Sequence, residues 1–244
     1  MNKLEKMGEF FNARLDGYEE HQMTTIEYAG EFYPYTAECL PKKSKSSILD
    51  LGCGTGLELD QYFKIVPDAK VTGIDLAEDM LGALSKKHPD KELKLINASY
   101  FTEPFGEEVF DAAVSVESLH HFTKEEKIPL YTKLNRALKD GGYFILTDYF
   151  ALTDEEEKQR RRELLSLRKE QNLPEDVFYH YDTPLTVEHE IEAISEAGFT
   201  SIQVLKSWGA TKIIKAIKTT EDQPGGRFSD RLGKQDFIDL IRGL

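Results

Sequence analysis

The densest chemical signal in the chain is Asp50-Leu51-Gly52-Cys53-Gly54-Thr55-Gly56. Glycines at alternate positions let a ligand approach the backbone with no Cβ in the way. Their spacing separates the possible ligands. A dinucleotide turn reads Gly-x-Gly-x-x-Gly, whereas residue 57 is Leu and the third glycine falls at 56. No Gly-Lys-Ser/Thr closes the loop, which excludes a Walker-type phosphate loop. Asp50 sets a carboxylate just before the turn, where a pyrophosphate is unwelcome and an amino group is not. The pattern fits a cationic ligand without phosphate.

A second carboxylate, Asp75, ends the run Val71-Thr72-Gly73-Ile74-Asp75, nineteen residues past Gly56. An acceptor-only group at a strand end can take both hydroxyls of a ribose. Capping the following helix is the plainer role, open equally to Glu78 and Asp79. Two cysteines, Cys39 and Cys53, make no disulfide framework, and no Cys or His cluster has zinc spacing, so no metal is expected. Cys53 sits in the turn where a small residue suffices.

These groups need elements to hold them. Residues 47–51 read as a buried strand, 58–66 as a helix ended by Pro67, and 70–74 as a second strand. Residues 77–87 make a helix stopping near Pro89, 93–96 a third strand, and 110–116 a fourth that is apolar enough to be covered on both faces. A helix opens at Thr123, whose capping box with Glu126 marks its start. Pro129 should kink or delay it, and Gly141-Gly142 should end it before a fifth strand at 143–147. Strands alternating with helices imply right-handed crossovers and a mainly parallel sheet.

Beyond the fifth strand, residues 153–171 hold six acids and six bases, with Glu156–Arg160 and Glu157–Arg161 four apart, as on a solvated helix. Residues 187–197 form a helix closed by Gly198, and 200–208 and 210–218 are strands joined through Gly209 as an antiparallel hairpin ending the sheet. Residues 219–244 contain Pro224-Gly225-Gly226 and a short amphipathic segment at 234–241.

The composition narrows the partners. The chain has 244 residues, 40% of them hydrophobic, enough for one α/β domain. Lys and Arg number 31 against 44 Asp and Glu, a net charge of −13 that disfavours nucleic acid and anionic membrane surfaces. There is no run of 18 apolar residues and no signal-peptide pattern, so a cytoplasmic location is expected.

The loop at 50–56, with the Asp75 strand and the order of elements from about 46 to 218, resembles the class I S-adenosylmethionine-dependent methyltransferases. The resemblance implies a Rossmann-like, doubly wound sheet of seven strands, mostly parallel with an antiparallel last strand and helices on both faces. It implies S-adenosylmethionine as cofactor, held by Asp50, Gly52, Gly54, Gly56 and Asp75. Leu76 and Met80 would line the adenine pocket, or else be ordinary core residues of the next helix. The usual adenine-binding Asp after the third strand is missing: Ala98 occupies that slot, and Asn97, Ser99 or backbone N–H groups would replace it. Val116 would lie beside the cofactor, and Glu117, His120 and His121 near the transferred methyl.

His121 is then the candidate base, since a histidine titrates near neutrality; alternatively one of the adjacent histidines packs and the other caps the next helix. The methyl is already activated, so alignment and exclusion of water are the main tasks. Aromatic segments could supply a cover: Phe10, Phe11, Tyr18, Tyr28, Phe32, Tyr33 and Tyr35 near the start, and Phe178, Tyr179, His180 and Tyr181 in the insertion. Most of these read as core; Tyr18, Tyr28 and His180 are candidates for the substrate cleft, and Tyr149 for its catalytic rim. The organisation expected is one domain, with a helical lid at 1–45, a cofactor-binding core at 46–150, a lid insertion at 151–184, the end of the core at 185–218 and a tail at 219–244. The acceptor expected is a small molecule. The alternatives are a tRNA or nucleic-acid acceptor, or a non-catalytic S-adenosylmethionine-binding protein.

Overall fold

The computed structural model describes residues 3–218. The expectations for 219–244 lie outside the described residues. Seven strands form one sheet: β1 (Ser47–Leu51), β2 (Lys70–Asp75), β3 (Glu92–Asn97), β4 (Phe110–Val116), β5 (Leu138–Tyr149), β6 (Ser201–Trp208) and β7 (Thr211–Ile217). Their order is β3-β2-β1-β4-β5-β7-β6. β7 runs antiparallel to β5 and β6, while the β1, β2, β3, β4 and β5 pairings are parallel. The doubly wound sheet and its terminal hairpin are as expected, with Gly209 turning the hairpin at φ +58.

The chain moves outward from β1 to β3 and returns beside β1 as β4. The order therefore reverses between β1 and β4, which opens a crevice beyond their C-terminal ends. The turn after β1 and the segment after β4 meet there. Burial alternates along β1: Ile48 packs into one apolar layer, Leu49 and Leu51 into the other.

The helices are α1 (Met7–Asn12), α2 (Tyr18–Thr25), α3 (Ala29–Cys39), α4 (Leu57–Ile65), α5 (Glu78–Lys87), α6 (Lys124–Ala137), α7 (Asp154–Glu170) and α8 (Val187–Glu196). Their starts follow the capping residues: Thr123 and Glu126 form the full capping box, and the Thr153 and Thr186 hydroxyls accept from the N–H groups of Glu156 and His189. One boundary differs from expectation. α6 passes through Pro129 and stops at Ala137, and Gly141-Gly142 lie inside β5. The β4–β5 register shifts between Phe110 and Ala112, and a Cβ on Gly142 would lie 2.8 Å from the Lys139 carbonyl, so the glycines serve a bulge and not a helix end.

The N-terminal segment docks on the insertion. Met7 N–H donates to Phe178 O at 3.0 Å, His180 N–H donates to Glu5 O at 2.9 Å, and Phe10 stacks on His180 with ring centroids 3.5 Å apart. No described helix is long and apolar enough to cross a membrane.

Candidate functional site

The turn after β1 divides its glycines between two jobs. Gly52, at φ +75, donates its N–H to Ile74 O at 2.8 Å, and a Cβ there would lie 2.0 Å from Ser118 Oγ, so the β4 exit packs directly on the turn. Gly54, at φ +48, would place a Cβ in open cleft with only the Tyr18 hydroxyl near, at 3.9 Å. Gly56 faces the other way: its Cβ would strike Leu84 Cδ1 at 2.6 Å, so it serves the packing of α4 on α5 and does not line the cleft.

Asp75 accepts from Gly54 N–H at 2.9 Å and from Ala77 N–H at 2.8 Å. It therefore ties the turn to β2 and caps the entry to α5 while lining the cleft. Burial raises it against these hydrogen bonds. Asp50 lies beneath the turn, against Glu58. Burial and the neighbouring Glu58 hold Asp50 well above the usual carboxylate range, and burial raises Glu58 also. Asp50 is thus a foundation of the loop and not part of the cleft wall.

The cleft is open to solvent on one side and has about 550 Å³ of space between its walls, open solvent included. Leu76, Met80 and Val116 form apolar walls, joined by Met7, Phe11 and Tyr18 from the N-terminal helices. The candidates after β3 are engaged elsewhere: Asn97 Nδ2 and Ala98 N–H both donate to Asp75 O at 3.1 Å, and Ser99 Oγ accepts from Phe101 N–H. None of the three lines the cleft. Tyr100 does, its hydroxyl 3.2 Å from Ser118 Oγ. Tyr28 is also displaced from its expected place: it starts α3 in the left-handed region, 48% exposed, and the cleft is lined without it.

The far end of the cleft is polar. Glu117, at φ +49, lines it, and burial together with the Asp148 charge raises its carboxyl to about 8. His121 lines it too. Burial and the charge of His120 lower His121. His120 lies behind, its Nδ1 2.5 Å from Asp148 Oδ1. Burial opposes the imidazolium, but the Asp148 charge and hydrogen bond prevail and raise His120 to about 9. Leu119 N–H donates to Asp148 Oδ2 at 2.9 Å and fixes that carboxylate. Asp182, from the insertion, reaches His121 Nδ1 at 3.2 Å. Burial resists its charge, yet His121, His120 and Tyr149 hold it well below the usual range. Burial and Asp182 keep the Tyr149 phenol protonated. His180 sits above, 5.1 Å from the His121 ring, and burial lowers it to about 4.

Asp148 and Asp182 escaped the sequence reading, as did Met7, Tyr100, Ser118 and Phe122. Asp148 had a signal: it comes directly after the apolar run 143–147 and lies near the end of β5, which pairs beside β4. Asp182 had none, because it lies in an irregular segment whose path is set only by packing.

Residues 48–142 match the methyltransferase domain family. A fatty-acid O-methyltransferase of Mycolicibacterium smegmatis is 30% identical over 121 residues, covering 50% of this chain and 43% of that protein. A tRNA (carboxymethyluridine(34)-5-O)-methyltransferase of Arabidopsis thaliana is 33% identical over 115 residues, covering 47% of this chain and 26% of its own. The chain thus spans less than half the length of these relatives. Human N-acetylserotonin methyltransferase, solved in complex with S-adenosylmethionine, superposes with a TM-score of 0.56 at 19% identity over 79% of this chain and 53% of its own, a likeness of fold.

The site fits that cofactor on its own evidence. Gly54 leaves open the space a side chain would fill, and the lining offers an acceptor-only carboxylate, apolar walls and no Lys or Arg. That set complements a nucleoside with free hydroxyls, a positive charge and no phosphate. The glycine turn, the Asp75 strand end and the β7 reversal frame the methyltransferase domain matched over residues 48–142, and together they form the arrangement of the class I S-adenosylmethionine-dependent methyltransferases.

Proposed function

We propose that the protein transfers a methyl group from S-adenosylmethionine to a small molecule, an EC 2.1.1 activity, with the acceptor held at the Glu117 and His121 end of the cleft. One observation carries this reading: a single cleft is lined both by Gly52, Gly54 and Asp75 and by Glu117 and His121. The cofactor supplies an activated methyl on a sulfonium. The chain's own residues then have to bind, align and keep water out.

In this reading Asp75 takes the ribose hydroxyls, Leu76 and Met80 flank the adenine, and Val116 adjoins the reacting end. His121, whose imidazolium form burial and the His120 charge disfavour, lines the acceptor end as the candidate base. Tyr149 acts as a donor that steadies Asp182 and not as a base, because its phenol stays protonated. The N-terminal helices and the 151–184 insertion form the cover, joined through the Phe10–His180 stack. Tyr18 and His180 belong to that cover.

A small acceptor is favoured over tRNA by charge. The protein carries −13, the cleft lining has no Lys or Arg, and the basic stretch on α7 is engaged: Arg162 pairs with Glu155 at 2.6 Å and Arg160 hydrogen-bonds Tyr181. The fatty-acid relative suits a small acceptor, and the tRNA relative marks the competing class.

Calorimetry with S-adenosylmethionine, followed by a labelled-methyl assay against small alcohols, acids, amines and thiols and against bulk tRNA, tests the reading. Binding with transfer to a small acceptor supports it. No cofactor binding, or transfer to tRNA alone, would sink it.

A further inference from the structure

We propose that His120, His121 and Asp182 form a site for a divalent cation of the zinc class at the acceptor end of the cleft. His121 Nδ1 lies 3.2 Å from Asp182 Oδ1, and His120 Nε2 lies 3.6 Å from the same oxygen. One ligand atom from each of the three residues falls within 4.8 Å of the others. Tetrahedral zinc binds nitrogen and oxygen at about 2.0–2.1 Å, which sets neighbouring ligand atoms roughly 3.3 Å apart. Both separations from Asp182 Oδ1 are close to that spacing. Two imidazoles and one carboxylate complete three positions and leave the fourth open, as in catalytic zinc sites.

The surroundings support the same reading. A metal-bound histidine characteristically donates its other ring N–H to a carboxylate. His120 does this, with Nδ1 2.5 Å from Asp148 Oδ1, and Asp148 is itself buried and fixed by Leu119 N–H. Asp182 is oriented in turn by the Tyr149 hydroxyl. The neighbourhood is also short of positive charge. Glu117, Asp148 and Asp182 converge there, no Lys or Arg lines the cleft, and Glu117 Oε1 is buried with no hydrogen-bond partner among the described residues.

His121 lines the cleft and the Asp182 side chain is 42% exposed, so the open position is reachable from solvent and faces the acceptor. There the cation would hold an oxygen or nitrogen of the acceptor, with His121 serving as its ligand in place of the base; that role rests on the methyltransferase reading. Binding of the cation itself does not. Because Asp182 comes from the insertion and the histidines from the β4 exit, a bound cation would also fasten the cover to the core.

The full chain, stripped with a chelator, is titrated with Co²⁺ while its visible d–d absorption is followed, and with Zn²⁺ by calorimetry. A single equivalent should bind, with an intense band typical of tetrahedral Co²⁺ and a rise in Tm. Asp182→Asn and His121→Ala should each weaken binding at least tenfold, and Asp148→Asn by about 10- to 100-fold. Asp182→Asn is half-exposed and retains the shape of the side chain, so it keeps the test usable if His121→Ala fails to fold. Absence of binding by folded wild type, or binding unaffected by Asp182→Asn, overturns the site. S-adenosylmethionine calorimetry on the same sample reads the methyltransferase assignment separately, since loss of the cation site leaves Asp75 and the glycine turn untouched.

Discussion

Gly54 N–H donates to Asp75 Oδ2 across 2.9 Å, so the carboxylate that faces the cleft is also the clamp that shapes the glycine turn. Asp75→Ala should therefore have two effects. Loss of a charge-assisted contact of about 1.5–3 kcal/mol predicts a 10- to 100-fold weaker cofactor, read by calorimetry. Two backbone N–H groups also lose their acceptor, lowering stability by about 1–3 kcal/mol in urea unfolding. Unchanged affinity for the cofactor would exclude Asp75 from the binding site.

The last two glycines of the turn should fail differently. Gly56→Ala forces a Cβ to within 2.6 Å of Leu84 Cδ1 at φ +74, and should cost about 2–4 kcal/mol in stability while the folded fraction still binds cofactor. Gly54→Ala meets no such clash and should mainly reduce cofactor affinity. Chemical denaturation and calorimetry on both variants separate the cases.

His121→Ala should lower kcat by about 100-fold or more on whichever acceptor is turned over, with the cofactor Kd changed little. A kcat within twofold of wild type would remove His121 from the reaction.

α6 and α8 are joined by a buried ion pair, Lys127 Nζ to Glu190 Oε2 at 2.5 Å, both side chains 1% exposed, with the Tyr131 hydroxyl on the other Glu190 oxygen. Removing one partner strands a buried charge, so Glu190→Leu should cost about 3–5 kcal/mol. Adding Lys127→Met should recover most of it. A double-mutant cycle in urea checks this, and additive losses would contradict it.

Cys53 supplies a pH test. Burial, then the charges of Asp50, Asp75 and Glu58, push its thiol well above the ordinary value. The folded state therefore holds this proton more tightly than the unfolded chain. Its contribution is full below pH about 8.5 and is lost as pH rises beyond it. Cys53→Ala should flatten the fall in Tm between pH 7 and pH 10, and native Cys53 should resist alkylation at pH 8.5. Rapid native labelling would refute the burial.

Much of this was legible locally. The capping box at Thr123 and Glu126, the apolar run of β4 and the Gly209 hairpin each arise from residues a few positions apart, where backbone sterics and short hydrogen bonds decide the outcome. Gly141-Gly142 misled because glycine permits both a helix end and a bulge, and the choice fell to the β4 pairing. Tyr28 misled because an aromatic side chain carries no mark of the direction in which its helix will be packed.

By itself, then, the sequence determined the glycine turn, the Asp75 strand end and the alternation of strands and helices, all set by backbone freedom and periodicity over short spans. Only the tertiary structure decided that Asp148, 28 residues past His120, would buttress that histidine, and that Asp182 from the insertion would meet His121. Those contacts come from side chains converging where the strand order reverses, and no spacing along the chain encodes that convergence.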